Sequence, residues 1–146
     1  MVAALTARLL SVPQIGKVHS SLRFTKEPPT SGTFHDLFAK DQRLNVWQIT
    51  RTTVATEQVP TDTRERVEYG ASIKFSMALQ DNVSEPLMQA AVDAVLLDLR
   101  TGDRTLGGIA HTYSLAQVPT ITYESDFYGV LCHLVELTLS VEAIES

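Results

Sequence analysis

SEPLMQAAVDAVLLDLR, residues 84–100, is the stretch on which the fold turns. Leu87, Met88, Ala91, Val92, Val95, Leu96 and Leu99 recur at steps of three and four, the spacing that puts them on one side of a helix. Gln89, Asp93 and Arg100 fall toward the other side. Ser84 is a good N-cap, Pro86 is tolerated in a first turn where its missing N–H has no partner to lose, and Thr101-Gly102 stops the run. A stripe this broad has to be buried against something.

The surfaces that can bury it lie on either side in the chain. Val67, Tyr69, Ala71, Ile73, Phe75, Met77 and Leu79 are apolar at every second position, and residues between them are polar or small. Leu131, His133, Val135, Leu137, Leu139, Val141 and Ala143 repeat the pattern within residues 127–143. Period-two alternation marks strands with one buried face. Arg43 to Gln58 is also strand-like, with many β-branched residues, yet its parity is mixed: Leu44 and Val46 on one side, Trp47 and Ile49 on the other. That pattern allows burial on both faces, a bulge, or a face covered only on association. Strands 43–58 and 67–79 read as an antiparallel pair.

The other segments are shorter. Val2 to Ser11 reads as a helix stopped by Pro13, and Gln14 to Phe24 as extended chain. Residues 25–41 are irregular, with Pro28-Pro29 and Ser31-Gly32, but Thr33–Phe38 can make one helical turn. Residues 57–66 form a polar connection. Ile109–Val118 and Ile121–Tyr123 read as strands, with a turn at Glu124-Ser125-Asp126. Tyr69-Gly70 and Tyr128-Gly129 each read as the start of a long strand. The expectation is a single α+β domain over residues 1–146. It is a largely antiparallel sheet of long strands with the central helix and the short N-terminal helix on one face, and segments 25–41 and 57–66 project from it.

Composition narrows the function. No apolar run reaches the roughly 20 residues of a membrane span. The N-terminal MVAALTARLL is interrupted by Thr6 and Arg8 and lacks a basic lead, so it is not read as a signal peptide. Cys132 is the single cysteine, so no internal disulfide forms. Asn82-Val83-Ser84 is a chance sequon in that setting. The net charge of −5 is unevenly spread. Residues 1–74 hold ten Lys/Arg against seven Asp/Glu, and residues 75–146 hold two against ten. Such a split suits oppositely charged faces that meet in an assembly, and a pI near 5.3 argues against a nucleic-acid-binding stripe.

Catalytic patterns are sparse. His19, His35, His111 and His133 have no metal-ligand spacing. Gly107-Gly108 precedes a strand rather than following one. No serine sits in a nucleophile elbow, and Cys132 lacks neighbours that would stabilise a thiolate. No enzyme, cofactor or metal site is expected. What stands out is surface: Arg43, Arg51, Arg64 and Arg66 around the long strands, with Trp47 among them, and Phe34, His35 and Phe38 in the irregular segment. Arg and Trp are the residue types that most often anchor interfaces. For Trp47, a place in the core is the alternative. For the two phenylalanines it is a small cluster beneath the loop.

The whole chain resembles the tail terminator (tail completion, minor tail U-like) proteins of long-tailed bacteriophages. The features shared are the length, the N-terminal helix followed by Ile15-Gly16-Lys17-Val18-His19, irregular segment 25–41, the alternating strand after a polar loop, one amphipathic helix and the alternating C-terminal strand. The resemblance implies a homo-oligomeric ring, typically a hexamer, in the virion at the head-proximal end of the tail and assembled in the host cytoplasm. Such a ring caps the tail tube, stops its polymerisation and meets a head-completion or connector protein. DNA passes through the lumen without specific binding, and no membrane is involved. The alternative from the residues alone is a small cytosolic ligand-binding or enzymatic domain. Its pocket would lie between helix 84–100 and the sheet, with His111, Tyr113 and His133 as its polar groups.

Overall fold

A computed structural model describes residues 1–58, 65–80, 82–108, 112–115 and 120–145. In chain order the elements are α1 (Val2–Leu10), β1 (Lys17–His19), α2 (Gly32–Phe38), β2 (Ala39–Lys40), β3 (Arg43–Gln58), β4 (Glu65–Ala78), α3 (Ser84–Thr101), β5 (Thr112–Leu115), β6 (Thr120–Phe127) and β7 (Val130–Glu145). The protein is α+β, as its alternating and helical periodicities predict. No helix among the described residues is long and apolar enough to cross a membrane.

The sheet runs β1-β3-β4-β7-β5, with β2 also paired to β3 and β6 to β7. Every pairing is antiparallel except β1 with β3. Ile49, Ile73 and Leu137 lie in one row across the three long strands, and Trp47, Phe75 and Val135 in the next. These rows make the face that buries α1 and α3. Leu5, Leu9 and Val12 from the N-terminal segment join Met88, Val92, Val95, Leu96 and Leu99 from α3 on it. At roughly 1.5–3 kcal/mol for each large apolar side chain removed from water, this layer holds most of the fold's driving force.

α2 lies on the opposite face. Phe34 and Phe38 pack with Leu44, Val46 and Cys132, and both rings meet Phe127 and Tyr128. Ser31 caps the helix, its Oγ accepting from Phe34 N at 3.1 Å. The chain between β1 and α2 also crosses this face, where Arg23 N donates to Gln48 Oε1 at 2.8 Å. The mixed parity of β3 therefore has two causes. Near its start β3 is covered on both faces. Farther along, Thr52 is an extra residue between the pairs Arg51–Ala71 and Thr53–Gly70. Gly70 is required there, because a Cβ would lie 2.4 Å from Thr53 Oγ1 and 2.7 Å from Thr52 Oγ1.

Several details depart from the expected pattern. Ser84 is the first helical residue rather than the N-cap, and its Oγ serves the preceding turn, bonding both N and O of Gln80. Leu87, assigned to the inner stripe, is 47% exposed. Only Lys17–His19 of the extended segment 14–24 is strand. Glu124–Asp126 lies within β6, across a register shift, and the turn comes instead at Tyr128-Gly129. Both turn residues have positive φ, the pattern of a two-residue type I′ hairpin. Tyr69-Gly70 is mid-strand, so its likeness to Tyr128-Gly129 has no structural counterpart.

Candidate interaction surface

The helix layer is shorter than the sheet beneath it. α3 has 18 residues, about 27 Å at 1.5 Å each. β3, β4 and β7 have 16, 14 and 16 residues, about 45–55 Å at ~3.3 Å each. The two ends of α3 are fixed on the sheet. At its start Ser84 Oγ and His133 Nε2 form a buried hydrogen bond of 2.8 Å. Near its end Tyr113 Oη donates to Leu99 O at 2.6 Å, and Tyr113 pairs with Val141 in the sheet. Burial raises the Tyr113 pKa above its ordinary value, which keeps the hydroxyl a donor. The row Val54–Tyr69–Val141 thus lies beneath the C-terminal end of α3. Residues 55–58, 65–68 and 142–145 continue past it.

The far end of α3 is also tied to α1. Arg8 Nε meets Asp98 Oδ2 at 2.7 Å, while its Nη groups donate to Asp98 O at 3.0 Å and Asp103 O at 2.7 Å. Gly102 makes room, since a Cβ there would lie 1.3 Å from Arg8 Nη2. In the turn that follows, Asp103 accepts from Thr105 Oγ1, Thr105 N and Gly107 N. These bonds, with a lesser contribution from Arg8, hold its pKa down to about 2.

The projecting ends have an open edge. β1 pairs with β3 only through Gln48. From Ile49 to Gln58 the outer edge of β3 has no strand partner among the described residues, and Arg51 to Thr56 are all exposed. Val54 is 49% exposed. A long free edge of β-branched residues is a template for another chain. The strand ends are acidic. Glu68 and Glu142 face each other directly, and Glu57, Glu65 and Glu145 lie in the two outermost rows. Arg66 is the cation among them, its Nε 3.2 Å from Glu142. Ser140 Oγ donates to Glu68 at 2.7 Å.

At the other end of the sheet a cavity of about 550 Å³ opens between α3 and the β2–β3 turn. Leu87, Ala90, Ala91 and Ala94 form one wall, with Met77, Ala78 and Asn45 on the sheet side and Lys40, Asp41 and Arg43 around the turn. Asp41 and Gln42 both have positive φ, which makes the turn tight and presents its side chains outward. Gly16 supports Asn45 from below, since a Cβ there would lie 2.2 Å from Asn45 Oδ1.

The predicted interface residues divide. Arg43 is exposed and donates to Gln80 Oε1. Arg51 is exposed, with its guanidinium 5.9 Å from the Tyr69 ring. Arg66 is exposed on the other face of the same end. Arg64 lies outside the described residues. The arginines therefore form no single cluster, since Arg43 sits at the opposite end of β3 from Arg66. Trp47, Phe34 and Phe38 are buried at 0%, 3% and 0% exposure and present no surface. Trp47 stacks on Phe75 at 4.1 Å because the α3-facing row places both there. Phe34 and Phe38 fill the space under α2, and His35 is half-buried against Phe34.

Of the polar groups weighed for a pocket under α3, His111 lies outside the described residues. Tyr113 and His133 are opposite Val141 and Met77, eight residues apart along β7, and each secures a different end of the helix. The sequence features passed over were the carboxylates of the strand ends and Ala90 and Ala94 of α3. The alanines fall between the heavier stripe and the polar side, where wheel position alone marks them as neither. Neither a family model nor a curated protein matches this chain.

Proposed function

We propose that this chain is a structural assembly protein. It closes into a homo-oligomeric ring, a hexamer, that caps a phage tail tube, ends its polymerisation and joins the tail to the head connector. The observation that carries the reading is the outer edge of β3, which from Ile49 to Gln58 has no strand partner among the described residues and is exposed from Arg51 to Thr56. A monomeric binding domain has no use for a long exposed strand edge of β-branched residues. A subunit that completes its packing on a neighbour does. The sheet face opposite α3 supports the lumen assignment. Away from α2 it carries the half-buried Thr50, Lys74, Glu136 and Ser140, a polar set without a basic stripe on which DNA could lodge.

Light scattering over a concentration series, with negative-stain imaging, tests the reading. Closed rings with an open centre are expected at high concentration, and caps at one end only of added tail tubes. A monomer at every concentration that leaves tube ends bare overturns it.

A further inference from the structure

We infer that the cavity between α3 and the β2–β3 turn receives the acidic strand ends of a second copy of this chain. The contact runs head to tail and deepens the ring reading, on which it rests. Three observations converge on it.

The first is position. The cavity is lined by residues 40–45 and 77–78, and the acidic ends are residues 57, 65–68 and 142–145, so the two lie at opposite ends of the same strands. Two different patches at opposite ends are what a heterologous contact needs, and repetition of one closes a ring if the rotation allows.

The second is charge. Lys40 and Arg43 flank the cavity against Asp41, and the strand ends carry Glu68 and Glu142 against Arg66. Glu68 and Glu142 stand directly opposite each other on the sheet. Like charges in that relation repel, and the Arg66 guanidinium lies against Glu142 at 3.2 Å. A cation from a neighbour relieves the pair.

The third is shape. Ala90, Ala91 and Ala94 leave the α3 wall low, and Leu87 stands half-exposed beside them. The result is an apolar wall beside a polar rim, the usual make-up of a receiving site.

The test uses the full chain with Arg43→Glu at the cavity and Glu68→Lys at the strand ends. Both positions are exposed, and melting curves check that each variant folds. Each variant alone is expected to stay monomeric where wild type assembles. Mixed in equal amounts, they offer one wild-type contact and one charge-swapped contact, so the mixture should assemble with the two variants alternating. The chain carrying both changes should recover assembly. If both single variants assemble like wild type, the cavity contact is wrong and the ring reading stands. If wild type itself never assembles, the ring reading fails and this contact fails with it.

Discussion

The two ends of the sheet are built differently. Around Trp47, Phe75 and Val135 the strands are covered by α1 and α3 on one face, and toward Val46 and Leu44 by α2 on the other. Beyond Val54, Tyr69 and Val141 the same strands continue past the helix layer, with exposed β3 residues whose outer edge has no strand partner among the described residues. The hydrogen-bond ladder is continuous through both ends, so backbone pairing is not what separates them. The difference is burial along β3: Arg51 to Thr56 are exposed while Val67 and Ala143 beside them remain buried, and burial supplies most of a domain's stability. One end holds the fold, and the other is available for association.

Substitutions at the two ends should separate these roles. Trp47→Ala removes the largest fully buried side chain and leaves a cavity against Phe75. A loss of about 3–5 kcal/mol is expected in urea unfolding. Arg8→Ala breaks the tie between α1 and α3. Loss of its charge-assisted bonds should cost about 1.5–3 kcal/mol and leave the far end of α3 without its cap. Thr56→Asp, at the projecting end, should shift stability by less than about 0.5 kcal/mol while weakening assembly. A large loss of stability there would mean that this end belongs to the core after all.

The smallest effect concerns pH. The Asp103 carboxyl titrates at about 2 instead of 3.8 because the folded turn donates three hydrogen bonds to its charged form. The turn therefore gains stability above the ordinary carboxyl value and loses it as pH falls through 2. A carboxyl carbon titration by NMR should find this midpoint in wild type, and Thr105→Ala should move it upward.

Much of the proximal end was legible in the sequence. The inner positions of α3 from Met88 to Leu99 and the alternation of β4 and β7 follow directly from period, because a helix stripe and a strand face each need a partner. The mixed parity of β3 was visible too, although its two causes required coordinates: the cover from α2 depends on contacts distant in sequence, and the bulge on Gly70 across the strand pair. Tyr128-Gly129 was misread because an aromatic before a glycine suits a strand start as well as a turn, and only pairing of Phe127 with Val130 decides. The cavity was not legible at all. Its walls come from α3, the β2–β3 turn and the end of β4, and no local period links them. Trp47 shows the converse error: residue type suggested an interface, and strand parity placed it inside.

Amide hydrogen exchange along β3 and β4, measured at low and high protein concentration, tests the division most directly. Ile49, Ile73 and Phe75 should exchange slowly at both. Thr53–Thr56, on the outer edge of β3, should exchange quickly in dilute protein and become protected as the protein assembles. Exchange at these projecting residues that is already slow in dilute protein, or that stays fast at every concentration, would contradict the account.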